Sequence, residues 1–154
     1  MQTDFVSRIE GLRVADVMDN EPVAIPEDAS VERALDEFFL RYRWAWFPVV
    51  DPTQRFLGLI ERGAADAVPE VSRPSSTVRD VFEADSTGTL RVRDDAPLES
   101  LLGNDALTRL GALMAVDEQG HLRGVITADQ VGRALRRALS PGAGGIGPDG
   151  PPQA

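Results

Sequence analysis

Apolar and polar positions fall into two ordered series of short elements. At the N-terminus Phe5, Ile9 and Leu12 recur at helical spacing, which predicts a short helix or ordered arm over residues 1–13. Residues 14–18 form a short apolar turn, and residues 23–25 a short strand closed by Pro26. Ser30 is suited to an N-cap. Val31, Ala34, Leu35, Phe38 and Phe39 follow at the i, i+3, i+4, i+7 and i+8 positions of one helical face. Residues 46–50 read as a buried strand, 51–54 as a turn, and 56–60 as the returning strand. A second helix over 64–68 is stopped by Pro69.

The order then recurs. Residues 69–76 carry Pro69, Pro74 and three serines, which is linker chemistry. Beyond it come a strand at 90–92, a helix opened by Leu98, Leu101 and Leu102, and a strand at 113–116. A turn at 118–121, a strand at 122–126 and a helix marked by Val131, Leu135 and Leu139 complete the series. The two series are a repeat: Asp51 to Asp117 and Gly58 to Gly124 are the same shift of 66 positions. Upstream, residues 14–18 answer to 78–82, and 28–32 to 95–99. Each unit alone is too short to bury much of its surface, so the two must pack together, and a cleft forms where they meet. The expected organisation is an arm at 1–13, a first domain at 14–68, a linker at 69–76, a second domain at 77–139 and a tail at 140–154. The tail is rich in Gly and Pro, with Ile146 its only large apolar side chain, and is expected to be disordered.

Composition narrows the function. A 42% hydrophobic content over 154 residues supports a real core, with no run of about twenty apolar residues to span a bilayer. The N-terminal residues lack a basic, apolar leader, so a cytoplasmic location is expected. There is no cysteine, which excludes disulfides, thiolate catalysis and Cys-type zinc sites. The net charge is −9 and every basic residue is an arginine, so the chain has no electrostatic footprint for nucleic acid. An anionic small molecule could still be held by a local arginine cluster.

The tandem β-α-β-β-α order, with Pro48-Val49-Val50-Asp51 leading to Gly58-Leu59-Ile60, and Met114-Ala115-Val116-Asp117 leading to Gly124-Val125-Ile126-Thr127, resembles a pair of cystathionine-β-synthase (CBS) domains. The resemblance spans residues 12–139. It implies an α/β (α+β) fold in which two such repeats pack with pseudo-two-fold symmetry. It also implies a homodimer, and a regulatory rather than catalytic role. The implied ligand is an adenosine nucleotide such as ATP, ADP or AMP, bound between the domains. A second resemblance lies in residues 38–48, Phe-Phe-Leu-Arg-Tyr-Arg-Trp-Ala-Trp-Phe-Pro, which are similar to the first CBS domain of site-2-type intramembrane metalloproteases. It implies a regulatory region tethered to such a protease. The protease's zinc-binding helix motif has no counterpart in the chain, so the region would not be the enzyme.

The family's ligand motif is Gly-x-x-(Ser/Thr)-x-x-Asp. On that pattern the candidate ligand-binding residues are Thr127 and Gln130, with Gln130 at the acidic position and Asp129 one place early. The first unit offers Glu61 and Ala64 instead, so its site looks lost for the usual ligand. Thr127 and Gln130 also fit a capping box, which alone would explain both residues. Ligand sensing and ligand-free dimerisation therefore both remain open.

Elsewhere, Arg41, Tyr42, Arg43, Trp44 and Trp46 suit a core or interface more than a base platform. His121, the only histidine, lies in a turn and reads as solvated. Of the paired carboxylates, Asp94 and Asp95 precede a helix start, and Asp36 and Glu37 sit on a polar helical face. No catalytic residue and no metal site is expected.

Overall fold

In the computed structural model, which describes residues 11–139, each apolar series becomes a small sheet flanked by short helices. The residues expected to form the arm lie outside the described part up to residue 10, and the whole expected tail lies outside it. A four-residue helix, α1 (Val14–Val17), comes first, where the sequence suggests only a turn. Strand β1 (Ile25–Pro26) pairs in parallel with β2 (Trp46–Val50), Ile25 opposite Val49. Pro26 is tolerated inside the strand because β1 is an edge. Between them runs helix α2, residues 31–42. Ser30 caps it by accepting from the Arg33 amide at 3.0 Å. Its middle, Ala34–Phe39, is π-helical. Strand β3 (Phe56–Glu61) returns antiparallel to β2 and passes directly into α3 (Arg62–Asp66).

The second unit repeats this plan. Strand β5 (Arg91–Arg93) pairs in parallel with β6 (Ala112–Val116), which pairs antiparallel with β7 (Leu122–Thr127). β7 leads into α5 (Ala128–Leu139). Both hairpins carry a register irregularity at equivalent places, between Val49 and Val50 and between Ala115 and Val116. The helix expected to open at Leu98 is broken. A 3-10 turn, Leu98–Leu101, stops before Gly103, whose φ is +77°. Asn104 then caps a new helix, α4 (Asp105–Leu110), by accepting from the Leu107 amide at 2.8 Å. A short strand absent from the sequence reading, β4 (Glu83–Ala84), adds to β3 and gives a first sheet of order β1-β2-β3-β4. Two exposed residues carry no alternation that would mark a strand.

Three cores organise the molecule. The first holds Ile25, Val31, Phe39, Phe47 and Ile60, and the second Leu98, Leu101, Leu107, Leu113 and Ile126. The third joins the two sheets through Phe56, Leu59, Met114 and Val116. The hairpin turns are also stitched together: the Phe56 amide donates to Gly120 O at 3.0 Å, and the Leu122 amide to Gln54 O at 2.9 Å.

The units exchange their leading segments. Val14 is buried in the second core, and Val78, 64 positions later, in the first. The exchange accounts for the repeated glycines. A Cβ at Gly58 would lie 2.8 Å from Ala84 Cα and press on Glu83 O, and one at Gly124 would lie 2.6 Å from Asp19 O. Each hairpin strand thus carries a glycine where a crossing segment lies against it. The 69–76 stretch includes a 3-10 turn, Glu70–Ser72, and Arg73 donates to Val68 O at 2.9 Å and Asp66 O at 3.0 Å. Among the described residues no helix is long and apolar enough to cross a membrane.

Candidate functional site

The strand-to-helix junction at the end of β7 places both sequence-predicted site residues together. The Gln130 amide donates to Thr127 Oγ1 at 3.1 Å, and the Thr127 amide donates to Gln130 Oε1 at 2.9 Å. This is the reciprocal capping box. It does not exhaust either side chain. A threonine hydroxyl keeps its own O–H donor, and a glutamine keeps its NH2 donors. The cap therefore orients two donors and leaves them available.

Thr127 and Gln130 line a cleft of about 340 Å3 between the two units. Ala112 and Val125 form its floor on the second unit's side, and Trp44, Trp46 and Pro48 face them from the first. Pro22 and Val23 close one end, beside Asp19. The cleft is a largely apolar slot with a few polar groups at one rim, the usual build of a small-molecule site. Asp19 is its one charged lining residue, and its Oδ1 accepts from the Glu21 amide at 3.0 Å.

The aromatic wall has a local cause. Helix α2 ends at Arg43, a non-glycine residue with φ of 60°. That left-handed residue turns the chain sharply. Trp44 folds back on Tyr42 and Phe47, with ring centroids 5.1 and 5.0 Å apart, and remains 46% exposed. Arg62 holds the segment: its amide donates to Ala45 O at 2.8 Å, and its guanidinium to Phe39 O at 2.9 Å. Phe47 is buried in the core, whereas Trp46 is half-buried at the cleft and in the third core. Arg41 and Arg43 are exposed. The sequence favours core or interface for this stretch and does not mark Trp44 as a cleft wall. The available signal was a Trp-Ala-Trp run directly before a buried strand.

The corresponding positions of the first unit differ. Glu61 is exposed and makes no cap bond at the start of α3, and Ala64 has no polar group. Glu83, the counterpart of Asp19, is exposed like it, and Asp85, two residues on, is buried. The Asp85 carboxylate pairs with Arg91 Nε at 3.1 Å, and the Arg91 guanidinium lies 5.0 Å from the Phe56 ring centre.

The repeated aspartates serve the hairpin turns. Asp51 Oδ1 accepts from the amides of Thr53 and Arg55 at 2.9 Å each and from Thr53 Oγ1 at 2.7 Å. These bonds, led by the Arg55 amide, hold its pKa below the usual carboxylate range. Asp117 Oδ1 accepts from the Gln119 and His121 amides at 2.9 Å each, and Oδ2 meets His121 Nδ1 at 3.1 Å. Burial raises its pKa, but these hydrogen bonds outweigh burial and hold it at about 2. His121 is thus tied to Asp117 rather than simply solvated. The paired carboxylates are dispersed on the surface. Glu37 pairs with Arg33, and Asp95 with Arg93. Among the described residues no group of three His, Asp or Glu side chains could hold a metal ion.

Three comparisons bear on this geometry. Residues 14–64 match the family model described as "CBS domain". A curated zinc metalloprotease, MJ0392 of Methanocaldococcus jannaschii, is 28% identical over 126 residues, covering 82% of this chain and 33% of that protein. The chain therefore spans about a third of that relative's length. Among solved structures, CbpB in complex with c-di-AMP superposes with a TM-score of 0.78 at 11% identity, covering 94% of this chain and 97% of that one. CBSX2 in complex with AMP superposes with a TM-score of 0.66 at 25% identity, covering 84% and 99%.

Proposed function

Because this chain carries a CBS domain and has the mixed α+β fold of a CBS pair, we propose that it is a regulatory module that senses an adenosine-type nucleotide. The ligand enters the cleft at Thr127 and Gln130, and its occupancy controls an attached domain. The observation that carries this reading is the junction itself. Two side chains oriented by mutual hydrogen bonds, each with a donor that the cap does not use, line an apolar slot walled by Trp44 and Trp46. An adenine fits between indole faces and small aliphatic side chains, and a ribose suits the polar rim. The AMP and c-di-AMP held by the two structural neighbours support this ligand class. The metalloprotease relative supports an attached protease as the controlled domain. The module itself is non-catalytic and works as a homodimer.

Calorimetric titration with ATP, ADP, AMP and S-adenosylmethionine tests the reading. One of the adenosine nucleotides is expected to bind, and Trp44→Ala and Thr127→Ala to weaken it. Absence of binding at millimolar concentration rejects it. A second reading, a ligand-free dimerisation module, is favoured by the completeness of the Thr127–Gln130 cap and by Glu61 and Ala64 in the first unit. It predicts a dimer by light scattering whose melting temperature no nucleotide changes.

A further inference from the structure

One face of helix α5 borders an open groove of about 420 Å3. Arg133, Ala134, Arg137 and Ala138 line it from the helix, at i, i+1, i+4 and i+5, and so share one face. Leu12 and Val17 stand across from them. Ala134 and Ala138 are buried and small, so the bottom of the groove is apolar and leaves room above it. Its rim is charged.

The chain enters the described part at this groove. Leu12 is fixed in its wall, with its carbonyl accepting from the Leu98 amide at 2.8 Å. Residues 1–10 lead to it through Gly11, which lies in a turn where a preceding helix would stop. Those ten residues carry Phe5 and Ile9, at the i, i+4 spacing of one helical face. A ten-residue helix is about 15 Å long, against about 18 Å for the 12 residues of α5. The charges are opposite. Residues 1–10 hold Asp4 and Glu10 against one Arg8. The rim holds Arg133 and Arg137 against one Asp16. Asp16 already accepts from the Arg13 amide at 2.8 Å, and Arg133 already pairs with Asp129. Arg137 makes no ion pair among the described residues.

We propose that the occupant of this groove is the chain's own segment 1–10. Phe5 and Ile9 lie over Ala134 and Ala138, and a carboxylate of the same segment, Asp4 or Glu10, meets Arg137. The small side chains at the bottom are what admit a large ring. A carboxylate on a guanidinium gives a charge-assisted hydrogen bond, which fixes the segment along the helix. The contact joins the segment ahead of the first unit to the last helix of the second. It extends the exchange already made by Val14 and Val78, each buried in the other unit's core. It is independent of what the cleft binds.

The experiment places a label on the segment and reads the helix. The chain has no cysteine, so S7C in the full chain takes a single nitroxide, and Ser7 is two positions from both Phe5 and Ile9, off their helical face. The amide NMR signals of residues 133–138 are expected to broaden and be lost. Adding F5A/I9A to the labelled chain should restore them. R137E should restore them in part, and R136E, on the same helix but outside the groove, should not. A mixture of labelled chain with isotope-enriched unlabelled chain should show no broadening, since the contact lies within one chain. Signals that survive at 133–138 in the labelled chain overturn the proposal. So does broadening that F5A/I9A leaves in place, or that R137E and R136E relieve equally. Broadening in the mixture also overturns it, because a second copy would then fill the groove.

Discussion

The two units can be laid over one another residue by residue, and they agree and disagree in different places. Asp51 and Asp117 close equivalent turns, and Gly58 and Gly124 admit equivalent crossing segments. Phe47 and Leu113 are equivalent too, and both are fully buried. One core is nevertheless aromatic, with Phe47 in ring contact with Phe38, Phe39, Tyr42 and Trp44, while the other is aliphatic. The divergence is sharpest at the strand-to-helix junctions. Thr127 and Gln130 correspond to Glu61 and Ala64, so the reciprocal cap of one junction has no counterpart in the other. Positions that hold the pair together are repeated, and positions that would hold a ligand are not. A duplicated scaffold needs both halves to pack, whereas the capped junction is furnished in one half alone.

The largest expected effect comes from the cores. Phe47→Ala removes a fully buried ring and should cost about 3–5 kcal/mol of stability, and Leu113→Ala about 2–5 kcal/mol. Because the third core joins the sheets, urea unfolding of either variant should remain one transition. Two resolved transitions would mean that the units are independent. Next come the glycines. Gly58→Ala and Gly124→Ala should each cost about 1–3 kcal/mol, since the added methyl meets backbone. Gly58 should be the more sensitive, because one close neighbour of Gly124 is the movable Met18 side chain. A neutral Gly58→Ala would discard the crossing-segment account of the repeat.

The cap gives a smaller difference. Thr127→Ala should cost about 1 kcal/mol by thermal melting, whereas Glu61→Ala at the equivalent place should stay within about 0.5 kcal/mol. Equal losses would erase the distinction between the two junctions.

Much of this asymmetry is legible from sequence because it is local. The hairpins, the Ser30 cap and the Thr127–Gln130 box each depend on residues a few positions apart, and each was placed correctly. What was not legible depends on contacts distant in the chain. The burial of Val14 in the second core and Val78 in the first is set by the exchange of segments, and both lie in short stretches with no periodicity to read. β4 exists only because β3 offers it an edge. The break at Gly103 replaced an expected helix with a turn and a shorter helix, since a left-handed residue ends the first turn. Trp44 reaches the cleft because Arg43 is left-handed, a conformation that its residue type does not announce.

The smallest effect is a pH dependence that compares the two turns. Asp117 is held at about 2 against an ordinary 3.8, and Asp51 is lowered in the same direction. A carboxylate whose folded pKa is depressed binds fewer protons in the folded than in the unfolded chain within that window. Its contribution is therefore complete above pH 3.8 and is lost as pH falls toward about 2. The melting temperature should decline between those values. Asp117→Asn should lower it at neutral pH, because an amide nitrogen cannot accept from His121 Nδ1 or from Arg123 Nε, which lies 3.2 Å from Oδ2. The same variant should show a shallower decline in acid, since the titrating group is gone. Asp51→Asn should do likewise to a lesser degree, its carboxylate having no arginine or histidine side chain bonded to it. If wild type and Asp117→Asn decline in parallel between pH 4 and pH 2, the turn aspartate does not carry the acid sensitivity, and the two hairpins differ only in sequence.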